Sequence, residues 1–330
     1  MNSDGNNQGQ YRLPPLDTAY IKAQGLLFTN RDPEKFEPAV QDFLDLLDNQ
    51  IGRITRKWME QGSHIAISNS VSMLGFAAKE NLLMKAISIE PSQDDQLASA
   101  NEKSIWMSAF KKAQHINNAT LAIVLQRIGD PNVYPFLHCT LVFMLRMSQH
   151  EGAKALLDAD FPWELFCVML NTLLVNNSAA KLIRLQETTF PVPENDEARP
   201  LPEDYSLRGL LYADNYFPDT WFSTKIDEEE KYQERASMTA QRKDRIIFLA
   251  MRIANSSWGL EYDDDNEKPQ FRTRAHIDQI TSRTLTFESS ASATTVGTSR
   301  SATWATQKTI DDQSDDDEPP PTTPTQVAAS

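Results

Sequence analysis

Apolar residues along most of this chain recur every three or four positions, and almost nowhere every second one. Wound at about 100° per residue, Phe36, Val40, Phe43, Leu44, Leu47, Ile51, Ile54 and Trp58 fall on one stripe. The same period returns in Ile105, Trp106, Phe110, Ile116, Leu121, Val124, Leu125 and Ile128, and again in Trp163, Phe166, Met169, Leu170, Leu173 and Leu174. Such spacing buries one face of a helix, whereas in a strand it would scatter the same residues over both faces. The expected fold class is therefore all-α, with no convincing strand.

Punctuation divides the pattern. Gly62 is expected to end the first long segment. A second runs over 65–89 and is closed by Pro91; a polar loop covers 91–100. The helix predicted over 101–128 stops at Gly129, which can take a left-handed terminal position, with Pro131 unable to continue it. Asn132 is the expected cap of the next helix, with Pro135 tolerated in its first turn, as far as Ser148. Short helices are expected at 153–157, from Pro162, near 203–213 and near 226–235, then a last apolar helix near 239–255. Eight or nine helices joined by short loops imply an irregular α-solenoid of antiparallel hairpins or a helical bundle; no strict internal repeat is found. Residues 1–35 are expected to be a poorly ordered N-terminal segment, 36–262 the helical domain, and 263–330 a disordered acidic tail rich in Ser, Thr and Pro. In that tail Ser314 precedes Asp315, Asp316, Asp317 and Glu318, which suits either a solvating tail or a phosphorylation site.

Charge narrows the function classes. The net charge is −14, and half of that excess lies in residues 261–330, so any nucleic-acid contact must come from a local patch. The two cysteines, Cys139 and Cys167, lie in apolar runs and read as small buried hydrophobes in a reducing compartment. The polar N-terminus does not read as a signal peptide. The longest apolar stretch, Phe136 to Met147, is broken by His138 and Arg146 and falls short of the ~20 residues a membrane span needs, so a soluble intracellular protein is expected.

Signatures of chemistry are missing: no Gly-rich phosphate loop, no nucleophile elbow, no His-Glu-x-x-His. The five histidines are scattered, and His138 reads as a satisfied core histidine. The acidic runs Asp227 to Glu230 and Asp263 to Asp265 point in several directions on a helix and read as a solvated face opposing the bases near 235–252. No catalytic residue, cofactor, metal or small-molecule substrate is assigned. What remains is an arginine stripe: with Arg242 at 0°, Arg245 falls near 300°, Arg252 near 280° and Arg235 near 20°. Ile246, Leu249 and Ile253 share that arc, so the stripe is either a buried ion-pair seam or a phosphate track. The candidate contacts for nucleic acid or a partner are Arg235, Arg242, Lys243, Arg245 and Arg252. Arg53, Arg56 and Lys57 form another basic cluster, and Lys103, Lys111 and Lys112 a third.

A distinctive stretch precedes that helix. Arg199-Pro-Leu-Pro-Glu-Asp-Tyr-Ser-Leu-Arg-Gly209 leads two prolines into a short apolar helix pattern. An aromatic cluster follows, Tyr212, Tyr216, Phe217, Trp221 and Phe222, broken by Pro218. This reads as a packing joint, with Glu203 and Asp204 favoured at a helix N-terminus.

Taken in order, Leu121-Ala-Ile-Val-Leu-Gln-Arg-Ile-Gly-Asp-Pro-Asn-Val133, Thr140-Leu-Val-Phe143, Phe161-Pro-Trp-Glu-Leu165, Met169-Leu-Asn-Thr-Leu-Leu174 and Pro200-Leu-Pro-Glu-Asp-Tyr-Ser-Leu-Arg-Gly209 resemble segments of one family. Asp227-Glu-Glu-Glu-Lys-Tyr232 and the run from Arg242 to Ala254 continue the likeness. The family is the DNA/RNA-binding domain of the "ever shorter telomeres" proteins, which are telomerase-associated proteins and nonsense-mediated mRNA decay factors; the filamentous-fungal branch is the most similar. The resemblance covers about residues 40–262. It implies stacked tetratricopeptide-like hairpins and a non-enzymatic adaptor of RNA surveillance or telomere maintenance. Implied partners are proteins of those machineries, with RNA or single-stranded DNA as a further ligand, in the nucleus or cytoplasm. Direct sequence-independent RNA or single-stranded DNA binding without an adaptor role is the alternative. The chain resembles only the C-terminal helical half: no 14-3-3-like repeat half and no nuclease domain is recognised.

Overall fold

The helical period is realised in twelve α-helices among the described residues, which are 13–88, 100–193, 199–264 and 268–274 of this computed structural model. All of them belong to one compact unit, residues 1–282; the expected tail beyond Arg274, including Ser314, lies outside the described residues.

The centre of the unit is α6 (Tyr134–Ser148). Only Leu145 and Arg146 of this helix reach even partial exposure. A helix apolar on every side must be surrounded, and α3 (Arg56–Met73) and α12 (Ser237–Asn255) both pack on it. Before it, α1 (Pro15–Thr29) pairs with α2 (Phe36–Ile54), and α5 (Ala100–Leu125) packs on α2 and α3. The short α4 (Leu82–Ile87) meets α7 (Glu151–Leu157). On the far side α8 (Trp163–Leu174) and α9 (Ala179–Glu187) pack on α12. The six-residue α10 (Pro202–Leu207) rests on α3 and α6, and α11 (Glu228–Lys231) is a single turn before α12. No helix among the described residues is long and apolar enough to cross a membrane.

Several local expectations need correction. Residues 15–29 are not a loose leader: Leu16, Ala19, Ala23 and Leu27 are buried along α1, a stripe masked by its small alanines and by Gly25. The first long segment does not end at Gly62. It ends at Thr55, which sits at φ 46°, ψ −108°, a left-handed position that a β-branched residue rarely occupies. Gly62 lies inside α3 because a Cβ there would stand 2.9 Å from the Trp58 indole; the missing side chain makes room for the ring. Helix α9 also goes unrecognised in the sequence, although Ser178 caps it by accepting from Lys181 N at 3.2 Å.

Finally, the fold contains strands. β1 (Leu260–Asp263) and β2 (Gln270–Thr273) form an antiparallel hairpin, with Leu260 opposite Thr273 and Tyr262 opposite Phe271. It packs on α8 and α12 and carries the ordered chain beyond residue 263, where the tail was expected to begin. Its alternation is only four residues long on each strand, too short to stand out. Phe271 is 1 % exposed, and Asn171 of α8 bonds its backbone twice, donating from Nδ2 to the carbonyl at 2.9 Å and accepting its N–H at 2.7 Å. Other punctuation is realised as read: Gly129 sits at φ 80° after α5, and Pro135 lies in the first turn of α6. Asn132, however, is not the cap of α6: Asp130 Oδ1 accepts its N–H at 2.9 Å to cap the 3-10 turn Pro131–Val133, and α6 follows from Val133 without a side-chain cap.

Candidate functional site at the arginine helix

The apolar spacing of α12 puts Met238, Arg242, Arg245, Ile246, Leu249 and Ile253 inward together. Two arginines are thereby driven into the core, where an unpaired charge is untenable. Their partners come from the proline-led motif. Pro202 opens α10 with its fixed φ, and the Asp204 carboxylate turns back to accept the Leu201 N–H at 3.0 Å, one arm of a capping box. This aims Glu203 and Asp204, 3 % and 0 % exposed, at α12.

Arg242 is held as a fork between two carboxylates. Its Nε and Nη2 donate to Glu203 Oε1 and Oε2 at 2.7 and 2.9 Å. Its Nη1 and Nη2 donate to Glu234 Oε1 and Oε2 at 2.5 and 2.8 Å. Bidentate pairing of this kind suits the planar guanidinium and is the strong form of an ion pair. Burial by itself would raise the Glu203 carboxyl. The Arg242 charge and the hydrogen bonds from His138 and Arg242 outweigh it and hold the group below the usual carboxylate range. Burial likewise opposes the charge on Arg242, but Glu203 and Glu234 keep its pKa raised.

Beside it, His138 Nδ1 lies 3.1 Å from Glu203 Oε1 and Nε2 lies 2.9 Å from the Tyr216 hydroxyl. A carboxylate can only accept, so Nδ1–H donates to Glu203. Arg245 Nη1 donates to the same Tyr216 hydroxyl at 3.2 Å and its Nε to the Pro191 carbonyl at 3.3 Å. Its guanidinium stacks 3.9 Å from the Phe190 centroid and 4.9 Å from that of Trp221, and pairs with Asp204 at 3.6 Å. Trp221 Nε1 donates to Asp204 at 3.0 Å. The aromatic turn thus lines the socket of Arg245.

The five candidate contact residues therefore separate. Arg242 and Arg245 are 1 % and 0 % exposed, so the expectation that they contact a phosphate or a partner is corrected: they are the interior seam. Arg252 donates to the Thr188 carbonyl and lies over the Phe248 ring at 5.2 Å. Lys243 is half-buried, 5.9 Å from the Tyr134 centroid. Arg235 alone of the five is exposed, 3.9 Å from Glu230. Of the acidic run expected to face the bases near 235–252, Glu230 meets Arg235, while the carboxylates that reach Arg242, Glu203 and Glu234, lie outside that run. Glu228 pairs with Lys231.

The Cys139 thiol beside the seam is pushed up by burial and by the Glu203 and Asp204 charges; burial pushes Cys167, elsewhere in the core, up to about 12. No group of three or more metal-ligating side chains occurs among the described residues. A cavity of about 580 Å³ borders the seam, lined by Thr55, Arg56, Lys57, His64 and Tyr232 together with Glu203, Glu234 and Arg242. Arg56 Nη2 donates across it to the Glu234 carbonyl at 2.7 Å, tying α3 to the segment before α12. Sequence reasoning singled out the arginines and the motif but missed Glu234, which lies eight residues before Arg242, two turns back along a helix that does not extend that far.

No family model, curated protein or solved structure matches this chain.

Proposed function

We propose that the chain is a helical adaptor of RNA surveillance or telomere maintenance, built as an array of antiparallel hairpins and working through protein partners in the nucleus or cytoplasm. The observation that carries this reading is the seam: Leu201-Pro-Glu-Asp204, the most specific part of the family resemblance, is spent on holding α10 and the aromatic turn to α12. A motif consumed by architecture supports a scaffold, whose function lies on the surfaces it holds in place. Affinity capture from a eukaryotic extract with the full chain tests it. Recovery of decay factors or telomerase components is expected; recovery of neither contradicts the reading.

Direct binding of RNA or single-stranded DNA is the second reading, and Arg53, Arg56 and Lys57 favour it. They are exposed around the start of α3, whose first turn holds no acid. Binding there would show log affinity falling steeply with log salt. No binding at low salt removes this reading and leaves the adaptor intact.

A further inference from the structure

Between Trp221 and Met238 the chain crosses the surface without burying a residue. Ile226, Lys231 and Glu234 are half-buried, and the rest of residues 223–237 are exposed. Helix α11, in the middle of this stretch, buries no residue. The backbone bonds around it are short-range: the Glu230 and Lys231 N–H groups donate to the Asp227 carbonyl at 3.0 and 3.2 Å, and that of Gln233 to the Glu230 carbonyl at 3.2 Å. A segment without a fully buried side chain of its own belongs to the low-stability end of a fold, whereas α12 beside it buries Met238, Ile246 and Leu249.

What holds this segment down comes from three arginines in other parts of the chain. Arg199 Nη2 donates to the Glu230 carbonyl at 2.9 Å, and Arg56 Nη2 to the Glu234 carbonyl at 2.7 Å. Arg242 takes the Glu234 carboxylate on one side of its fork. Among the described residues these are the segment's hydrogen bonds to the body of the unit. Two ring contacts add to them: the Tyr232 centroid lies 6.2 Å from that of Tyr205, and Lys231 Nζ lies 5.5 Å from the same ring. The ties are unequal. Only the bond between Arg242 and Glu234 is charged on both sides, which makes it the strongest of them. Arg242 does not need it to stay paired, because Glu203 holds the other side of the guanidinium. The Glu234 side chain is 15 % exposed against 1 % for Glu203, so it can leave toward water without stranding a buried charge.

The same segment walls the cavity of about 580 Å³. Tyr232, Gln233 and Glu234 line it together with Lys57 and Ser63 of α3 and Ser206 of α10. That volume lies within the ~300–1,000 Å³ of small-molecule pockets. We propose that residues 223–236 form a strap over this cavity, latched by Glu234, which opens as a unit while the helices beneath it stay folded. Opening breaks the bonds to the three arginines, removes one wall of the cavity and uncovers Ser63, which is 3 % exposed while the strap is closed. It leaves the Glu203–Arg242 pair and the packing of α12 on α6 in place.

The inference does not depend on which cellular process the chain serves. Thiol labelling of the full chain tests it. Ser63→Cys puts a reporter in the cavity wall, with Ser206→Cys as a second one; the native Cys139 and Cys167 are buried and give the background. Opening a strap exposes little surface, so the reporter should label at a rate almost independent of urea at low denaturant. Cys139 should label only through global unfolding, with its steep urea dependence. Glu234→Gln should raise the urea-independent rate by about tenfold, because it removes the doubly charged tie. Arg56→Ala, which removes a bond to the strap's backbone alone, should raise it several-fold. The proposal is overturned if both reporters follow the urea dependence of Cys139. It is also overturned if the urea-independent rate is indifferent to Glu234→Gln and Arg56→Ala, or if Arg56→Ala speeds Cys139 as much as the reporters.

Discussion

The seam around α12 and the corner between α1 and α5 break the usual sorting of residues in opposite directions. The seam takes Arg242, Arg245, Glu203 and Asp204 out of water, each 3 % exposed or less. The corner leaves Phe28 and Phe76 in it. The groups at the seam are mostly committed to one another, with Asp204 Oδ1 and Arg245 Nη2 left without a hydrogen-bond partner in the interior. At the corner Phe76 sits in a strained turn and meets Phe28 edge to face, and both rings stay exposed. Buried charge therefore reads here as architecture, while the exposed aromatic pair takes no part in the core.

Removing one side of the buried fork should produce the largest effect. Arg242→Met leaves Glu203 inside without its main partner, and the loss expected in urea denaturation is about 3–5 kcal/mol. Replacing Glu203 with leucine at the same time should restore part of that loss by removing its unpaired charge, although Glu234 still loses Arg242 and His138 its acceptor. The same contrast holds with pH. Because the folded Glu203 carboxyl lies below its ordinary value, the stability it supplies is complete above about pH 4.3 and is lost as the pH falls from there toward the folded value. A thermal melt series over pH 3 to 6 should show that decline, and Glu203→Gln should flatten it. At the corner the expected stability changes are small. Phe76→Gly removes a strained residue and should leave stability unchanged or raise it by up to about 1 kcal/mol. Phe28→Ala should alter the unfolding free energy by no more than about 0.5 kcal/mol. A large loss on Phe28→Ala would mean that the corner is core, and the contrast would fail.

The contrast was half legible in the sequence. Angular placement put Arg242 and Arg245 on an arc shared with Ile246, Leu249 and Ile253, and that mixture favours a buried seam over a phosphate track. Their partners could not be assigned, because the Glu203–Arg242 pair spans 39 residues and only the packing of α10 on α3 and α6 brings it together. The corner was not legible. Phe76 is an ordinary aromatic in a helix-like run until the backbone turns left-handed at Gly75, and nothing in the run announces that turn at Phe76 or Ala77. Thr55 hid the break between α2 and α3 in the same way, while Gly62 signalled a false one. In both places a single residue's conformation, set by what packs on it, overrode local propensity.

The central claim is that the proline-led motif is a joint closed by ion pairing. A double-mutant cycle on Glu203 and Arg242, read by equilibrium urea unfolding, tests it most directly. The account predicts a favourable coupling of at least about 1.5 kcal/mol. Additive single losses, with coupling near zero, would contradict it.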